Sequence, residues 1–268
     1  RATLSVLPLI ARLSVWITIA SCLKSRCEVI MSNQGLSINV DAVWDDDCII
    51  GSSYPQPAIA SIATFGSQNF GAIFGEEPTI VGAPVINTYW FTGGVGAGGY
   101  DLKVTDNPVK TMMVLLRPKS TTRALGMGNY LGSAVQPQGD TFVFEPAIPQ
   151  IRGIVGRSSG TATATLATPL DTSKFHLVFL DVNNSMLQLH KMTNSELVST
   201  EQVAVTARAI PVPNKSIYAG YSYITSDFLG AVDIAMTGVW AGGILSQAEK
   251  MDMVDLVTQS YEGILSIA

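Results

Sequence analysis

The first candidate for chemistry is a serine in residues 156–160, which read G-R-S-S-G. This order matches G-x-S-x-G, the pattern in which a sharp turn from a strand into a helix exposes a nucleophilic serine, here Ser158. Asp171 or Asp181, followed by His190, would complete the Ser, Asp, His order of an α/β hydrolase. The β-branched threonines that come next disfavour the helix that this turn requires. We therefore interpret the segment as a tight turn and keep a serine esterase as the second alternative function.

A glycine-rich segment, residues 94–99, matches the G-x-G-x-x-G fingerprint of dinucleotide-binding sites. That fingerprint must follow a strand and open a helix, so that the helix N-terminus faces the pyrophosphate. Here the continuation, residues 100–104, has the composition of another strand. The sequence therefore predicts a glycine-rich loop without a nucleotide cofactor.

Three side chains in one short segment carry oxygen atoms that suit calcium: Asp181, Asn183 and Asn184. The two asparagines also suit the positive φ angles of a two-residue hairpin turn, which needs no metal. The hairpin is the preferred interpretation, and calcium is the alternative. The chain has 2 histidines, His176 and His190, each on a predicted strand, so their number excludes a multi-histidine metal site.

Paired acids are the other candidate for catalysis, since glycoside hydrolysis needs two carboxylates that face each other across a sugar. On a β-strand such a pair usually appears as Glu-x-Asp, because residues two apart point to the same face. The sequence contains no Glu-x-Asp. Adjacent acids occur at 45–47 and 76–77, but neighbours along a strand point to opposite faces. We therefore expect no catalytic residues and no enzyme.

The elements that must position these residues are predicted to be β-strands. Apolar and polar residues alternate with a period of two in residues 141–144, 161–165, 187–190, 202–206 and 232–236, which is typical of half-buried strands. Residues 111–116 and 175–180 are almost wholly apolar and are predicted to be central strands, covered on both faces. Because turns rather than helices separate the strands, the fold class is predicted to be all-β, an antiparallel β-sandwich.

One short helix is predicted near the end of the chain. Ser246 and Glu249 have the spacing of a capping box, in which the hydroxyl and the carboxylate accept hydrogen bonds from free N–H groups of the first turn. Gly263 is placed to end the helix. The apolar residues that recur between these points at helical spacing are Met253, Val254, Val257 and Tyr261. This apolar stripe is predicted to pack on the sandwich.

The chain divides by composition into residues 1–30, 31–105 and 106–268. The first part is apolar and contains four basic residues and one acid, unlike the rest. We interpret it as upstream-translated sequence ahead of Met31. The alternative is a leader peptide that ends in a lipobox-like Ile-Ala-Ser-Cys and is lipidated at Cys22. Its uninterrupted apolar run is too short for a membrane span. Residues 31–105 are expected to form an N-terminal extension and the first strands, and residues 106–268 the sandwich.

Composition limits the partners. After residue 30 the chain holds 12 basic and 20 acidic residues, which excludes nucleic acid because a phosphate backbone needs a basic face. Only 14% of all residues are charged, against about 25% in an average soluble domain, and the mean hydropathy is +0.31. Both values indicate apolar surface buried between subunits, so a homo-oligomer is expected. The 3 cysteines cannot form a disulfide framework.

Five motifs occur in an order that resembles the concanavalin-A-like lectin/glucanase superfamily in its laminin-G-like jelly-roll form. They are TMMVLLRP at 111–118, FHLVF at 175–179, YAG at 218–220, LGAVDI at 229–234 and LSQAE at 245–249. The resemblance covers about residues 108–265 and implies a jelly-roll β-sandwich with a short C-terminal helix. Phe175 stands where the family often has Trp, and the family's acidic catalytic motif is missing, so glucanase activity is not expected.

The resemblance implies two classes of function. The leading hypothesis is a non-enzymatic structural or adhesion protein of a virion, such as a phage tail or capsid surface, or of an extracellular surface, built with other subunits. The alternative is a glycan-binding lectin module; no cofactor is expected, and calcium dependence is the option left open. Sugars stack on exposed aromatic rings. The candidate glycan-binding residues are Trp90, Tyr100, Tyr221, Tyr223 and Trp240.

Overall fold

A computed structural model describes the backbone of Arg26–Ser32 and Gly35–Asp41, and residues 58–268 other than 69, 133–136, 195 and 225. The chain separates into two compact units, Arg1–Pro55 and Gln56–Ala268. In the first unit, β1 (Arg26–Ser32) pairs with β2 (Gly35–Asp41) in antiparallel register. The lipidation predicted at Cys22 lies outside the described residues. The second unit begins inside the segment 31–105, and its strands start at β3.

One sheet of the second unit contains seven strands among the described residues. They are β5 (Thr79–Gly82), β8 (Gly98–Thr105), β10 (Ala124–Gly128), β11 (Asp140–Glu145), β12 (Gln150–Gly156), β13 (Thr161–Ala167) and β18 (Ser216–Ala219). Their order across the sheet is β13-β12-β11-β10-β18-β8-β5, and every neighbouring pair is antiparallel. We call this the seven-stranded sheet.

The second sheet contains ten strands in the same part of the chain, and we call it the ten-stranded sheet. They are β3 (Ala58–Thr64), β4 (Gly71–Phe74), β6 (Val85–Ile86), β7 (Phe91–Gly93), β9 (Lys110–Pro118), β14 (His176–Val182), β15 (Met186–Thr193), β16 (Glu196–Ser199), β17 (Val203–Ala204) and β19 (Val232–Ala241). The main order is β16-β15-β14-β9-β19-β3-β4, while β17 pairs with β15 and β7 pairs with both β19 and β6.

The two sheets bury one shared core between them. Because successive strand residues point to opposite faces, β9 contributes Val114 and Leu116 to this core, and β11 contributes Phe142 and Phe144. Leu180 of β14 joins the same cluster. These contacts confirm the predicted all-β antiparallel sandwich. The central positions predicted for 111–116 and 175–180 are also confirmed, since β9 and β14 lie inside the ten-stranded sheet with both faces covered.

Two strands that were expected to be half-buried are covered on both faces. All six residues of β11 are buried, because its outward Val143 packs with Leu125, Ile154 and Phe228. In β19 nine of ten residues are buried, and the C-terminal segment reaches it through the Tyr261 hydroxyl, which donates to the Ala235 carbonyl at 2.9 Å. Alternation therefore located these strands, but the coverage of their outer faces comes from distant segments.

The predicted helix, α1 (Gln247–Ser260), forms with the expected capping box. The Glu249 N–H donates to the Ser246 hydroxyl oxygen at 3.2 Å, and the Ser246 N–H donates to the Glu249 carboxylate at 2.6 Å. Met253, Val254 and Val257 are buried. Gly263 has a φ of +70°, the left-handed conformation that ends many helices.

Replacing Ser246 with alanine is expected to lower the free energy of unfolding by about 1 kcal/mol, because the Glu249 N–H loses its acceptor. Chemical denaturation followed by circular dichroism measures this loss. Ser246→Asp is the matched control and should keep most of the stability, since aspartate also caps helices. An alanine variant with an unchanged denaturation midpoint would contradict this role of the cap.

Both glycine-containing motifs are turns between strands. Residues 94–97 connect β7 to β8, which begins at Gly98, and a Cβ on Gly98, whose φ is +106°, would lie 2.1 Å from the Val81 carbonyl oxygen. Residues 156–160 connect β12 to β13, with the Arg157 N–H donating to the Gly160 carbonyl at 3.0 Å. Neither segment opens a helix, which confirms the interpretation of both motifs as loops.

Candidate functional site

A cavity of about 410 Å³ lies on the outer face of the seven-stranded sheet. Its floor follows from the alternation along β12, where Ile151 and Val155 point into the core and the intervening Arg152 and Ile154 point outward. Thr163 of β13 is paired with Ile154 and adds a hydroxyl to the floor. We call this the sheet cavity. It is lined by Arg123, Tyr130, Gly132, Arg152, Ile154, Thr161, Thr163, Ile224, Ser226, Asp227 and Phe228.

One wall of the sheet cavity comes from the loop between β18 and β19. Phe228 of this loop is buried against the outer face of the sheet, and it has a positive φ of +56°. The guanidinium of Arg123 lies 5.0 Å from the centroid of the Phe228 ring, within the range of a cation–π contact. The same guanidinium is hydrogen-bonded to the carboxylate of Asp227. These contacts attach the loop to the sheet and shape the cavity.

The charges at the sheet cavity are paired, but one hydrogen-bond donor has no acceptor. Arg152 donates through Nη2 to the carboxylate of Glu145 at 2.7 Å, and Arg123 lies 3.6 Å from the same carboxylate. The Nε–H of Arg152 is buried and has no acceptor among the described residues. A buried donor without a partner costs about 1–3 kcal/mol. Arg152 therefore lines the cavity with one of its hydrogen-bond donors unsatisfied.

A tyrosine lines the same cavity. Burial raises the pKa of Tyr130, with a further contribution from the charge of Asp227, while Arg152 acts in the opposite direction. Its phenol therefore stays protonated at neutral pH and can donate a hydrogen bond.

Two of the predicted sugar-stacking residues, Tyr221 and Tyr223, lie next to this cavity in the chain and are half-buried. Tyr223 stacks on Tyr218 of β18 with the ring centroids 4.3 Å apart, and Tyr221 lies 5.8 Å from the same ring. Burial, followed by contacts with Tyr218 and Asp101, raises the pKa of Tyr223, whose hydroxyl donates to the Ser216 carbonyl at 3.0 Å. We call these three rings the tyrosine cluster.

The other three predicted aromatic residues are placed differently. Tyr100 and Trp240 are 2% and 0% exposed and belong to the interior, which corrects the expectation that they lie at a rim. Their large apolar area is removed from water by the core instead. Trp90 is half-buried, with the guanidinium of Arg117 5.1 Å from its ring centroid and Phe175 at 5.8 Å. Its neighbours are therefore protein side chains.

The three proposed calcium ligands form a turn and an ion pair. Asn183 accepts hydrogen bonds through Oδ1 from the Ser185 N–H and from the Met186 N–H, both at 2.8 Å. The loop between β14 and β15 is longer than two residues, and neither Asn183 nor Asn184 has a positive φ, so the predicted hairpin is present but its turn type is corrected. Asp181 is buried and bonded to other side chains. Calcium stays a prediction; the described residues contain no cluster of three His, Cys, Asp or Glu placed to hold a metal.

The predicted pairing of Ser158 with His190 is corrected. Ser158 is exposed in the β12–β13 turn of the seven-stranded sheet, whereas His190 is on β15 of the ten-stranded sheet. His190 contacts Asp181, as one alternative predicted, but its other ring nitrogen contacts Ser199 at 2.7 Å. Asp171 instead accepts hydrogen bonds from Ser173.

Ser199 was missed because no motif surrounds it. Its position opposite His190 follows from the register of β15 and β16. The sequence Thr-Asn-Ser at 193–195, which is typical of a turn, was the available signal that β15 and β16 form a hairpin. Arg152 was also missed, although a lone arginine in the apolar strand QIRGIVG was visible.

No protein-family model matches the chain, and no curated protein matches it. Solved structures with a similar fold include the receptor-binding domain of botulinum neurotoxin mosaic serotype C/D, with 12% identity and a TM-score of 0.52 over 74% of this chain and 51% of that chain. Trypanosoma rangeli sialidase in complex with sialic acid has 13% identity and a TM-score of 0.53 over 96% of this chain and 40% of that chain. The same sialidase with 2,3-difluorosialic acid, as a covalent intermediate, has 10% identity and a TM-score of 0.54, again over 96% and 40%.

These likenesses concern the fold, and this chain spans only about half or less of each similar structure. They support an all-β sandwich, as the resemblance implied. They also correct the expectation that the protein is not an enzyme, because the fold is found within the chain of a sialidase and so does not exclude catalysis. A virion role stays a prediction. Across the described ranges, no helix is long and apolar enough to cross a membrane.

Proposed function

We propose that this protein is a glycan-binding module and that the sheet cavity holds one sugar unit of its ligand. The observation that carries this proposal is the lining of the sheet cavity, where the guanidinium of Arg152, whose Nε–H has no acceptor among the described residues, lies beside apolar side chains and hydroxyl groups. This N–H is enclosed by protein, so a sugar hydroxyl would bind it after the guanidinium turns toward the cavity, and the contact would relieve the cost of the unpaired donor.

The chemistry of the lining also suits a sugar. Sugars combine apolar C–H faces with many hydroxyl groups, and the cavity offers Ile154, Ile224 and Phe228 beside the hydroxyls of Thr161 and Thr163. Concave sites with an apolar lining and a few placed polar groups are typical of small-ligand binding.

The charge of the cavity favours a neutral sugar. Arg123 and Arg152 are balanced by Asp227 and Glu145, so the site has no excess positive charge to attract an acid. Tyr221 and Tyr223 precede Ile224 of the cavity wall in the chain, and they would contact a second sugar unit by stacking.

The comparisons support this proposal at the level of fold. One similar structure is a receptor-binding domain, and another is a sialidase in complex with sialic acid. A β-sandwich that presents a cavity on one sheet is compatible with either precedent, and the lining of the sheet cavity supplies the proposed binding residues.

Replacing Arg152 with alanine is expected to weaken glycan binding at least about 10-fold, since one hydrogen bond to a charged group contributes about 1.5–3 kcal/mol. A glycan array identifies a bound sugar, and titration calorimetry then measures the change in Kd. Arg152→Lys is expected to weaken binding as well, because lysine keeps the charge but has no Nε–H in that position.

Lys174→Ala is the matched control, because this basic residue does not line the sheet cavity. It should leave the Kd unchanged. An array on which the wild-type protein binds no glycan, with or without calcium, would contradict the proposal. Equal affinity of the wild type and the Arg152 variants would contradict the assignment of the site.

A second candidate function, a structural or adhesion subunit that assembles with copies of itself, is favoured by exposed apolar residues near one end of the sheets. Ile80 on β5 is 57% exposed, and Val85 on β6 is 60% exposed. β5 is also the last strand of the seven-stranded sheet, and unpaired edges can bind further strands. Sedimentation should show an oligomer that Ile80→Lys weakens, whereas a monomer at high concentration contradicts this candidate.

A further inference from the structure

Three side chains of the ten-stranded sheet form a continuous hydrogen-bonded chain that the sheet cavity does not use. The hydroxyl oxygen of Ser199 lies 2.7 Å from Nδ1 of His190. Nε2 of His190 lies 2.9 Å from Oδ2 of Asp181. The series runs from an exposed serine to an imidazole that is 7% exposed and a carboxylate that is 2% exposed. The order serine, imidazole, carboxylate is the one in which an imidazole activates a serine hydroxyl, but the two ring nitrogens are exchanged relative to the serine-protease triad, where Nε2 faces the serine.

Strand pairing fixes this arrangement. His190 on β15 lies directly opposite Ser199 on β16. Asp181 on β14 is opposite Gln188, two residues before His190, so Asp181 is a diagonal neighbour on the same face. The inward positions on these strands are apolar, as at Leu180. All three side chains therefore point away from the core, on regular strands that hold them in place.

The aspartate determines which nitrogen of the neutral imidazole carries its proton. An ionised carboxylate only accepts hydrogen bonds, so Nε2 of His190 must donate to Asp181. Nδ1 is then without a proton and accepts from the Ser199 hydroxyl. This tautomer is the one that a general base requires, because the free lone pair already points at the proton that it would remove.

Two further groups fix the orientation of Asp181. The ammonium of Lys250, on α1, donates to Oδ2 of Asp181 at 2.7 Å. The hydroxyl of Thr111 donates to Oδ1 at 2.7 Å and accepts from the Leu245 N–H at 3.0 Å. Because this carboxylate is fixed on both oxygens, it can orient His190 and stabilise the positive imidazole that forms when the serine proton is taken up.

A second cavity, of about 260 Å³, opens over this chain of residues. It is lined by Asp181, Met186, Gln188, His190, Ser199, Gln202, Ile244, Leu245, Gln247 and Lys250. Gln247 is the first residue of α1, and the N–H groups of a first helical turn have no acceptor within the helix apart from those that caps satisfy. The positive end of the helix dipole therefore borders the cavity, where it favours a developing negative charge.

We propose that this cavity is a second, catalytic site, which hydrolyses small acyl esters with Ser199 as the nucleophile and His190 as the general base. Asp181 is a positioning residue. The size of the cavity limits the substrate to a short acyl group, and its mixture of amides with Met186 and Ile244 suits an ester that is neither charged nor strongly apolar.

The reaction balances with water as the second reactant. Ser199 Oγ bonds to the carbonyl carbon of the ester as its proton moves to His190 Nδ1. The tetrahedral intermediate collapses, the bond to the alcohol oxygen breaks, and the proton on Nδ1 passes to the leaving alcohol. Water then attacks the acyl-serine and gives its proton to the same nitrogen, and the acid leaves as the proton returns to Ser199.

The test is covalent labelling of the full chain with a fluorophosphonate, followed by mass spectrometry to locate the label, together with hydrolysis of p-nitrophenyl acetate. We expect the phosphonyl group on Ser199. Ser199→Ala should remove the label and lower the rate of ester hydrolysis about 100-fold or more, as expected when a general-base mechanism is lost. Since Ser199 is exposed, this substitution leaves the fold intact, which circular dichroism verifies.

Ser158→Ala is the matched control, because it removes another exposed serine that lies in the β12–β13 turn. It should retain both the label and the rate. A wild-type protein that is not labelled at Ser199, or a Ser199→Ala variant that keeps its hydrolysis rate, overturns the proposal. His190→Gln gives an independent measurement, since it should slow labelling of Ser199 without removing the serine.

Discussion

Replacing Asp140 with asparagine is expected to lower the free energy of unfolding by about 3–5 kcal/mol, the range for breaking a buried ion pair. Asp140 is completely buried at the start of β11, where it accepts a hydrogen bond from Lys110 at 2.5 Å and contacts Arg208. Asp106 shares both cations, with Arg208 at 2.7 Å. These four groups are neutral together. The substitution leaves one positive charge without a counter-charge in the interior.

The pKa of Asp140 shows how strongly the two cations act. Burial by itself raises the pKa of this carboxyl, but the charges and hydrogen bonds of Lys110 and Arg208 outweigh it and hold the pKa below its ordinary value. Since the pKa in the folded state is lowered, the stabilisation is present above the pKa of the unfolded chain, near 4, and is lost as pH falls below it.

Urea denaturation at neutral pH measures the loss in the Asp140 variant. The matched control is Asp255→Asn, the same change at an exposed position of α1, which should alter the free energy of unfolding by less than about 0.5 kcal/mol. If the two variants were equally stable, the buried cluster would contribute no more than a surface charge does.

The second large effect concerns pH and His176. Burial lowers the pKa of His176 to about 4, and the nearby charges of Lys191 and Lys174 act in the same direction, while a hydrogen bond to the Asp171 carbonyl and the charge of Asp171 oppose it. The ring is 1% exposed, with Nε2 3.0 Å from that carbonyl and Nδ1 unpaired among the described residues. In the unfolded chain a histidine has a pKa of about 6.5.

Between these two pKa values the unfolded chain binds the proton and the folded protein does not. The contribution of His176 is therefore complete above about pH 6.5 and is lost as pH falls toward 4. The difference corresponds to ~3 kcal/mol at pH 4. Between pH 7.5 and pH 4, we expect the free energy of unfolding to fall by ~3 kcal/mol more for the wild-type protein than for a His176→Gln variant.

Glutamine is the suitable replacement because its side-chain amide can donate to the Asp171 carbonyl, as Nε2 does, but does not titrate. Urea denaturation at a series of pH values gives both stability curves. Groups that titrate below pH 4, such as Asp140, act on both proteins and cancel in the comparison. Parallel curves for the two proteins would show that His176 is protonated as easily in the folded state as in the unfolded chain.

Local patterns in the sequence determined the elements of this protein. Alternation located β13, the apolar run at 111–116 located β9, and the capping box of Ser246 and Glu249 located the start of α1. Each of these signals acts within a few residues, through the opposite faces of a strand or the free N–H groups of a helix. Because turns rather than helices separate the strands in the sequence, an antiparallel arrangement was also predicted.

The candidate sites could be predicted only in part. His190 and Asp181 were expected together, yet the serine next to them is Ser199, which no motif marks and which the pairing of β16 with β15 brings opposite the ring. Arg152 became a site residue because a loop from beyond β18, with Phe228, closes a cavity over it. Tyr100 and Trp240, which sequence alone offered as surface rings, are buried.

The sequence by itself determined the strands, the helix and the sandwich class, because these depend on local periodicity and on the balance of apolar and polar residues. Only the tertiary structure decided which side chains meet. Side-chain contacts between strands depend on register, and a shift of one residue would turn His190 from Ser199 toward the core. Burial of an aromatic ring likewise depends on what packs over it, and that covering comes from segments far away in the chain.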